Sequence, residues 1–152
     1  MTITYQPVAA QAFEALFALR MDAIASSLQQ LGIYNAERSR QRFAARFVPA
    51  CMQHICRDGQ RVGFYTLYPP TPDQQEYRLE HLYIHNASQG QGIGTAVLRH
   101  VQGLAQQQGV PLTLYALRLS AANRFYQRHG FVITSEDEIE HFYRWLPEKA
   151  VA

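Results

Sequence analysis

The chain has 152 residues, of which 47% are hydrophobic and 17% charged. That length suits one domain with a sizeable core, and the balance excludes a disordered chain. The formal net charge of +2 is too small to argue for a nucleic-acid partner, and no apolar run reaches the length of a membrane span.

In chain order, 2–8 is predicted as a strand. From 10 to 31 apolar residues recur at Phe13, Leu16, Phe17, Ile24, Leu28 and Leu31, a helical period that Gly32 stops. A second helix is predicted over 36–47, ending before Pro49. The stretch 51–68 reads as a hairpin, strands 51–57 and 61–68 about the turn Asp58-Gly59. After a proline-rich loop at 69–74 come a strand at 77–85 and a helix at 92–109. The helix has Ile93, Val97, Val101 and Leu104 on its inner face, and Gly109 ends it. A strand at 110–117, a short helix at 120–130 and two closing strands, "FVITS" and "IEHFYRW", complete the order β-αα-βββ-α-β-α-ββ. This implies an α/β or α+β sandwich, helices covering a mixed sheet. One domain over 1–147 with a tail at 148–152 is expected.

Cys51 and Cys56 sit five apart in a predicted strand, so their side chains should face opposite ways. Neither a disulfide nor a metal site is expected, and free thiols fit a reducing cytoplasm. The N-terminal "MTITYQPVAAQAFEALF" has no basic n-region and does not read as a signal peptide.

The distinctive stretch is "QGQGIGT" at 89–95, between a strand and a helix. The first turn of a helix leaves backbone N–H groups unpaired, and the macrodipole adds partial positive charge. Glycines there clear the approach of an anion. A P-loop would need a Lys-Ser/Thr pair, but Thr95-Ala96 follows Gly94 and the chain's only lysine is Lys149. A dinucleotide loop would need G-x-G-x-x-G, and neither Thr95 nor Val97 supplies the third glycine. The stretch Gln89-Gly90-Gln91-Gly92-Ile93-Gly94 does have the form Q/R-x-x-G-x-G/A.

That form resembles the acetyl-CoA loop of the GNAT superfamily of N-acetyltransferases. The likeness runs from about Tyr77 to Phe131, through "LEHLYIHNASQGQGIGTAVL" and "AANRFYQRHGF". The resemblance implies a GNAT-like acyl-CoA N-acyltransferase fold. Its mixed, mostly antiparallel sheet would be splayed after the fourth strand and flanked by helices. It also implies acetyl-CoA as co-substrate, bound by Gln89, Gly90, Gln91, Gly92, Ile93, Gly94 and Thr95. The pyrophosphate would lie on the amides of 91–95. The pantetheine arm would pair with the backbone at Leu82, Tyr83 and Ile84. Tyr126 matches the family's general acid. Asn, frequent in the family six or seven residues earlier, is replaced by Leu119 and Ser120. Ser120 could cap the short helix or bond to the cofactor arm. Asn123 is near but out of register.

For the base, Glu80 is the first candidate, because alternation puts it on the face of Leu82 and Ile84. His81 is a lesser one, sharing the opposite face with His85. Arg38, Arg42 and Arg46 recur every four residues and line one helix face, either solvated or an anion site. Arg99, Arg124 and Arg128 are candidates for the CoA 3′-phosphate. The acidic "SEDEIEH" at 135–141 could attract a cationic amine, although an ordinary solvated turn explains it as well.

The expected function is acetyl transfer to a primary amine of a small molecule, amino acid or peptide, by direct attack in a ternary complex. The alternatives are a non-catalytic acyl-CoA sensor and a nucleic-acid binder working through the arginine stripe. Self-association into a homodimer is left open.

Overall fold

The computed structural model describes residues 1–149, so residues 150–152 of the expected tail lie outside the described residues. In chain order the elements are β1 (Ile3–Pro7), α1 (Phe13–Gln30), α2 (Ala36–Ala45), β2 (Met52–Arg57), β3 (Gln60–Tyr68) and β4 (Tyr77–Ile84). They continue with α3 (Ile93–Gln108), β5 (Leu112–Leu117), α4 (Ala122–Arg128), β6 (Val132–Glu136) and β7 (Glu140–Trp145).

Helix boundaries follow local chemistry. A 3-10 turn at Ala10–Ala12 holds the first helix back to Phe13. Asn35 caps α2, its side-chain oxygen accepting from the Arg38 N–H at 2.9 Å. Gly92 and Gly109 bracket α3, both left-handed at φ 80° and 66°. Cys51 lies in a 3-10 turn ahead of β2 rather than in the strand, and it and Cys56 are free thiols.

The seven strands form one sheet in the order β1-β2-β3-β4-β5-β7-β6. All pairs are antiparallel except β4–β5, which α3 joins as a crossover. Both sheet faces are covered. Ile93, Val97, Leu98, Val101 and Ala105 of α3 pack with Leu79, Leu112 and Leu114. On the other face Leu16, Leu19 and Phe43 pack with Met52 and Phe64. Residues 62–67 of β3 are therefore buried without alternation, as a strand between two helical layers should be. Each such fully buried aliphatic side chain contributes about 1.5–3 kcal/mol.

Two local features shape the middle of the sheet. The β4–β5 pairing stops at Leu79↔Leu114, and beyond it the strands part. On the other side of β4, Leu79 pairs with Leu67 and His81 with Thr66, so Glu80 is an extra, bulged residue.

Candidate active site

The parting of β4 and β5 opens a cleft of about 1300 Å³. The His85 N–H donates to the Val62 carbonyl on β3, so by alternation Ile84 and Leu82 turn their main-chain groups the other way, into the gap. Gln89 Nε2 donates to the Ile84 carbonyl at 3.0 Å and closes the far end. The amides between remain available to an extended ligand.

The loop after β4 runs to the start of α3. Gly90 and Gly92 have φ of 77° and 80°, a conformation that glycine adopts without strain. Gly94 is different: it is helical, and a Cβ there would only touch the Phe125 ring at 3.5 Å. No side chain caps α3 and its first turn holds no acidic residue, so the positive end of a 16-residue helix faces the cleft open.

Of the sequence-derived site, Glu80, Leu82, Tyr83, Ile84, Gln89, Gly90, Gly92, Ile93, Gly94, Thr95, Ser120 and Tyr126 all border this cleft. Gln91 does not; it is exposed. Of the three arginines considered for a phosphate, only Arg128 borders the cleft.

Tyr126 is 7% exposed. Burial, with Tyr83 and Tyr143 nearby, raises its pKa well above that of a free tyrosine, so it stays a proton donor at neutral pH. The ring of Tyr143 lies 6.0 Å away, and its hydroxyl donates to Asn123 Oδ1 at 2.8 Å. Asn123 Nδ2 in turn donates to the carbonyls of Leu117 (2.8 Å) and Ser120 (2.9 Å), pinning the β5–α4 loop. Ser120 Oγ accepts from the Ala122 N–H at 3.1 Å, so its hydroxyl serves the start of α4.

The bulge corrects the expected face of Glu80. Leu82 and Ile84 pack toward α3, whereas Glu80 turns to the α2 side and pairs with Arg46 at 2.8 Å. One extra residue reverses the alternation, and simple periodicity does not see it. His81 lies 4% exposed among Phe43, Phe64 and Tyr83, with Nδ1 2.8 Å from Thr66 Oγ1. Burial, with Arg20 and Arg46 adding to it, pushes its pKa down to about 3, which makes it a poor base. His85 follows the end of β4 and is exposed, away from the cleft. The arginine stripe divides: Arg42 and Arg46 border the cleft and Arg38 does not.

Two charged groups were not singled out by sequence reasoning. Glu140, at the start of β7, borders the cleft, and burial, Asp137 and Glu80 raise its pKa against the pull of Arg42 and Arg46. The acidic run at 135–141 was its only signal. Arg20 sits in the row Leu16, Arg20, Ile24, Leu28, whose other three members are core. A charge in an i, i+4 apolar row was legible as an anomaly. Among the described residues no group of three or more His, Cys, Asp or Glu is arranged to hold a metal ion, and no helix is long and apolar enough to cross a membrane.

Comparison with known proteins agrees with this geometry. A family model for an acetyltransferase (GNAT) domain matches residues 50–133, more than half of the chain. The chain belongs to the GNAT acetyltransferase family. Its fold is similar to that of PaiA N-acetyltransferase from Thermoplasma acidophilum, solved in complex with coenzyme A (TM-score 0.73, 16% identity, 96% of this chain and 99% of that one). An acetyltransferase from Thermus thermophilus is similar at TM-score 0.72 and 19% identity, over 96% of this chain and 97% of that one. Ard1 from Thermoplasma volcanium is similar at TM-score 0.68 and 18% identity, over 98% of this chain and 100% of that one. Comparison with curated proteins finds no match.

Proposed function

We propose that this GNAT protein is an N-acetyltransferase that moves an acetyl group from acetyl-CoA to a primary amine by direct attack in a ternary complex. The observation that carries the reading is the cleft. It joins the open amide end of α3, the unpaired edge of β4 and the buried hydroxyl of Tyr126 in one space.

The residues fit acetyl-CoA. The amides at the start of α3 suit a pyrophosphate, with Gly90 and Gly92 shaping the approach. The gap-facing main chain of Leu82 and Ile84 suits the amide-bearing arm, Tyr83 lying between them on the same strand. Acetyl-CoA supplies a thioester: its acyl carbon gains a bond to the amine nitrogen and loses its bond to sulfur, releasing CoA.

A substrate ammonium must lose a proton before its nitrogen can attack. Glu80 and Glu140 are the carboxylates for that step, directly or through water. Glu80 is held by Arg46, so accepting a proton would weaken its ion pair. Glu140 has its proton affinity raised by burial and by two neighbouring acids, which makes it the readier acceptor. Tyr126 is protonated at neutral pH and donates to the leaving sulfur. The Leu82 N–H, free in the gap, can polarise the acyl carbonyl.

The test is CoA release across a panel of amines, with acetyl-CoA binding measured separately by calorimetry. Amine-dependent release with intersecting-line kinetics is expected. Binding of acetyl-CoA without release by any amine would favour the sensor reading. A ping-pong pattern would exclude direct attack.

A further inference from the structure

The acceptor half of the cleft has a charge pattern of its own. Glu80, Asp137 and Glu140 border it together with Arg20, Arg42 and Arg46. Arg46 is engaged by Glu80 at 2.8 Å. Arg20 and Arg42 have no carboxylate partner among the described ion pairs.

Arg20 is the more telling of the two. Its Nε and Nη1 are buried and make no hydrogen bond. Its guanidinium carbon lies 5.9 Å from the centre of the Phe43 ring, a face contact that holds the group without satisfying its N–H donors. Its charge bears on both His81 and Tyr83, adding to the fall that burial gives the His81 pKa and offsetting part of the rise that burial gives that of Tyr83. A guanidinium cannot shed its proton to escape burial, so Nε and Nη1 stay unmet until an acceptor arrives. Ser39, 8% exposed, borders the same cleft and adds a hydroxyl.

We infer that the acceptor is an amine that also carries a carboxylate, with Arg20 and Arg42 receiving the carboxylate while Asp137 and Glu140 receive the ammonium. This rests on the N-acetyltransferase reading and narrows its substrate class. A carboxylate is the anion best matched here: a single planar oxyanion satisfies guanidinium donors with directed bonds. The acids Glu80, Asp137 and Glu140, bordering the same cleft, disfavour an acceptor of higher negative charge.

The experiment compares acceptors that differ only at the anionic group: an amino acid, its carboxamide, and an aminoalkyl phosphate of similar length. Both kcat/KM for CoA release and calorimetric binding to the CoA-loaded protein are measured. The carboxylate compound should exceed its amide by about ten- to a hundredfold, mostly through KM. Arg20→Lys should reduce that preference. Because Arg20 is half-buried and its variant could misfold, exposed Arg42→Gln provides a second arm and should reduce the preference as well, with the unfolding transition intact. Equal turnover of acid and amide would overturn the inference and leave the N-acetyltransferase reading standing, as would a preference for the phosphate. Carboxylate-dependent binding without turnover by any amine would keep the inference as a statement about the pocket and sink the enzymatic reading.

Discussion

Acidification should destabilise this protein through His81. The side chain is packed among Phe43, Phe64 and Tyr83, with Nδ1 against Thr66 Oγ1. Burial and two arginines push its pKa from 6.5 to about 3. The folded-state value is depressed, so the stabilising contribution is complete above about pH 6.5 and is lost as pH falls toward 3. In that window the unfolded chain takes up a proton that the folded one refuses. The slope is about 1.4 kcal/mol per pH unit, hence a loss of about 2 kcal/mol by about pH 5. That is a large fraction of the roughly 5–15 kcal/mol typical of a domain. The assay is urea unfolding from neutral pH to about pH 5, wild type against His81→Gln. The variant loses some packing at every pH, so the slope is the readout and the offset is not. His54 and His100 are also depressed by burial, and they contribute equally to both proteins. Parallel pH dependence in the two proteins would refute the reasoning, because His81 would then titrate as an ordinary, accessible imidazole.

Tyr126→Phe should lower kcat by about a hundredfold with little change in acetyl-CoA binding by calorimetry, since a proton donor is lost and the ring is kept. Glu140→Gln should move the acid limb of the kcat/KM profile: a base must be deprotonated to act, and the Glu140 pKa lies above the ordinary 4.5, so the wild-type limb should sit higher than that of the variant. Gly63→Ala should destabilise the fold by roughly 2–4 kcal/mol in urea, because a Cβ there would overlap the Tyr83 carbonyl oxygen on the neighbouring strand. Gly92→Ala should weaken acetyl-CoA binding and cost about 1–2 kcal/mol, since φ at this position is 80°.

Much of this protein follows from local pattern. The α3 stripe of Ile93, Val97 and Val101 is buried as its spacing demands, and Gly92 and Gly109 bound the helix. The loop from Gln89 to Thr95 carries its meaning in residue type alone, because left-handed φ and uncapped amides are properties of neighbouring residues. Strand order was less accessible. Nothing local says that β7 enters between β5 and β6, or that β4 and β5 part after three pairs.

Local spacing thus suffices for the helices, the strands and the donor side of the cleft, since each depends on residues that are close along the chain. The acceptor side exists only in the packed fold. The bulge at Glu80 is a mismatch between two strands and belongs to neither alone. The charged lining of the cleft draws Arg20 from α1, Arg42 from α2, Glu80 from β4 and Glu140 from β7. Those residues are far apart in the chain, and their charges meet only when the helices are packed on the sheet. Burial, which raises Glu140, depresses His81 and leaves Arg20 unsatisfied, is a property of the folded protein and of no single segment.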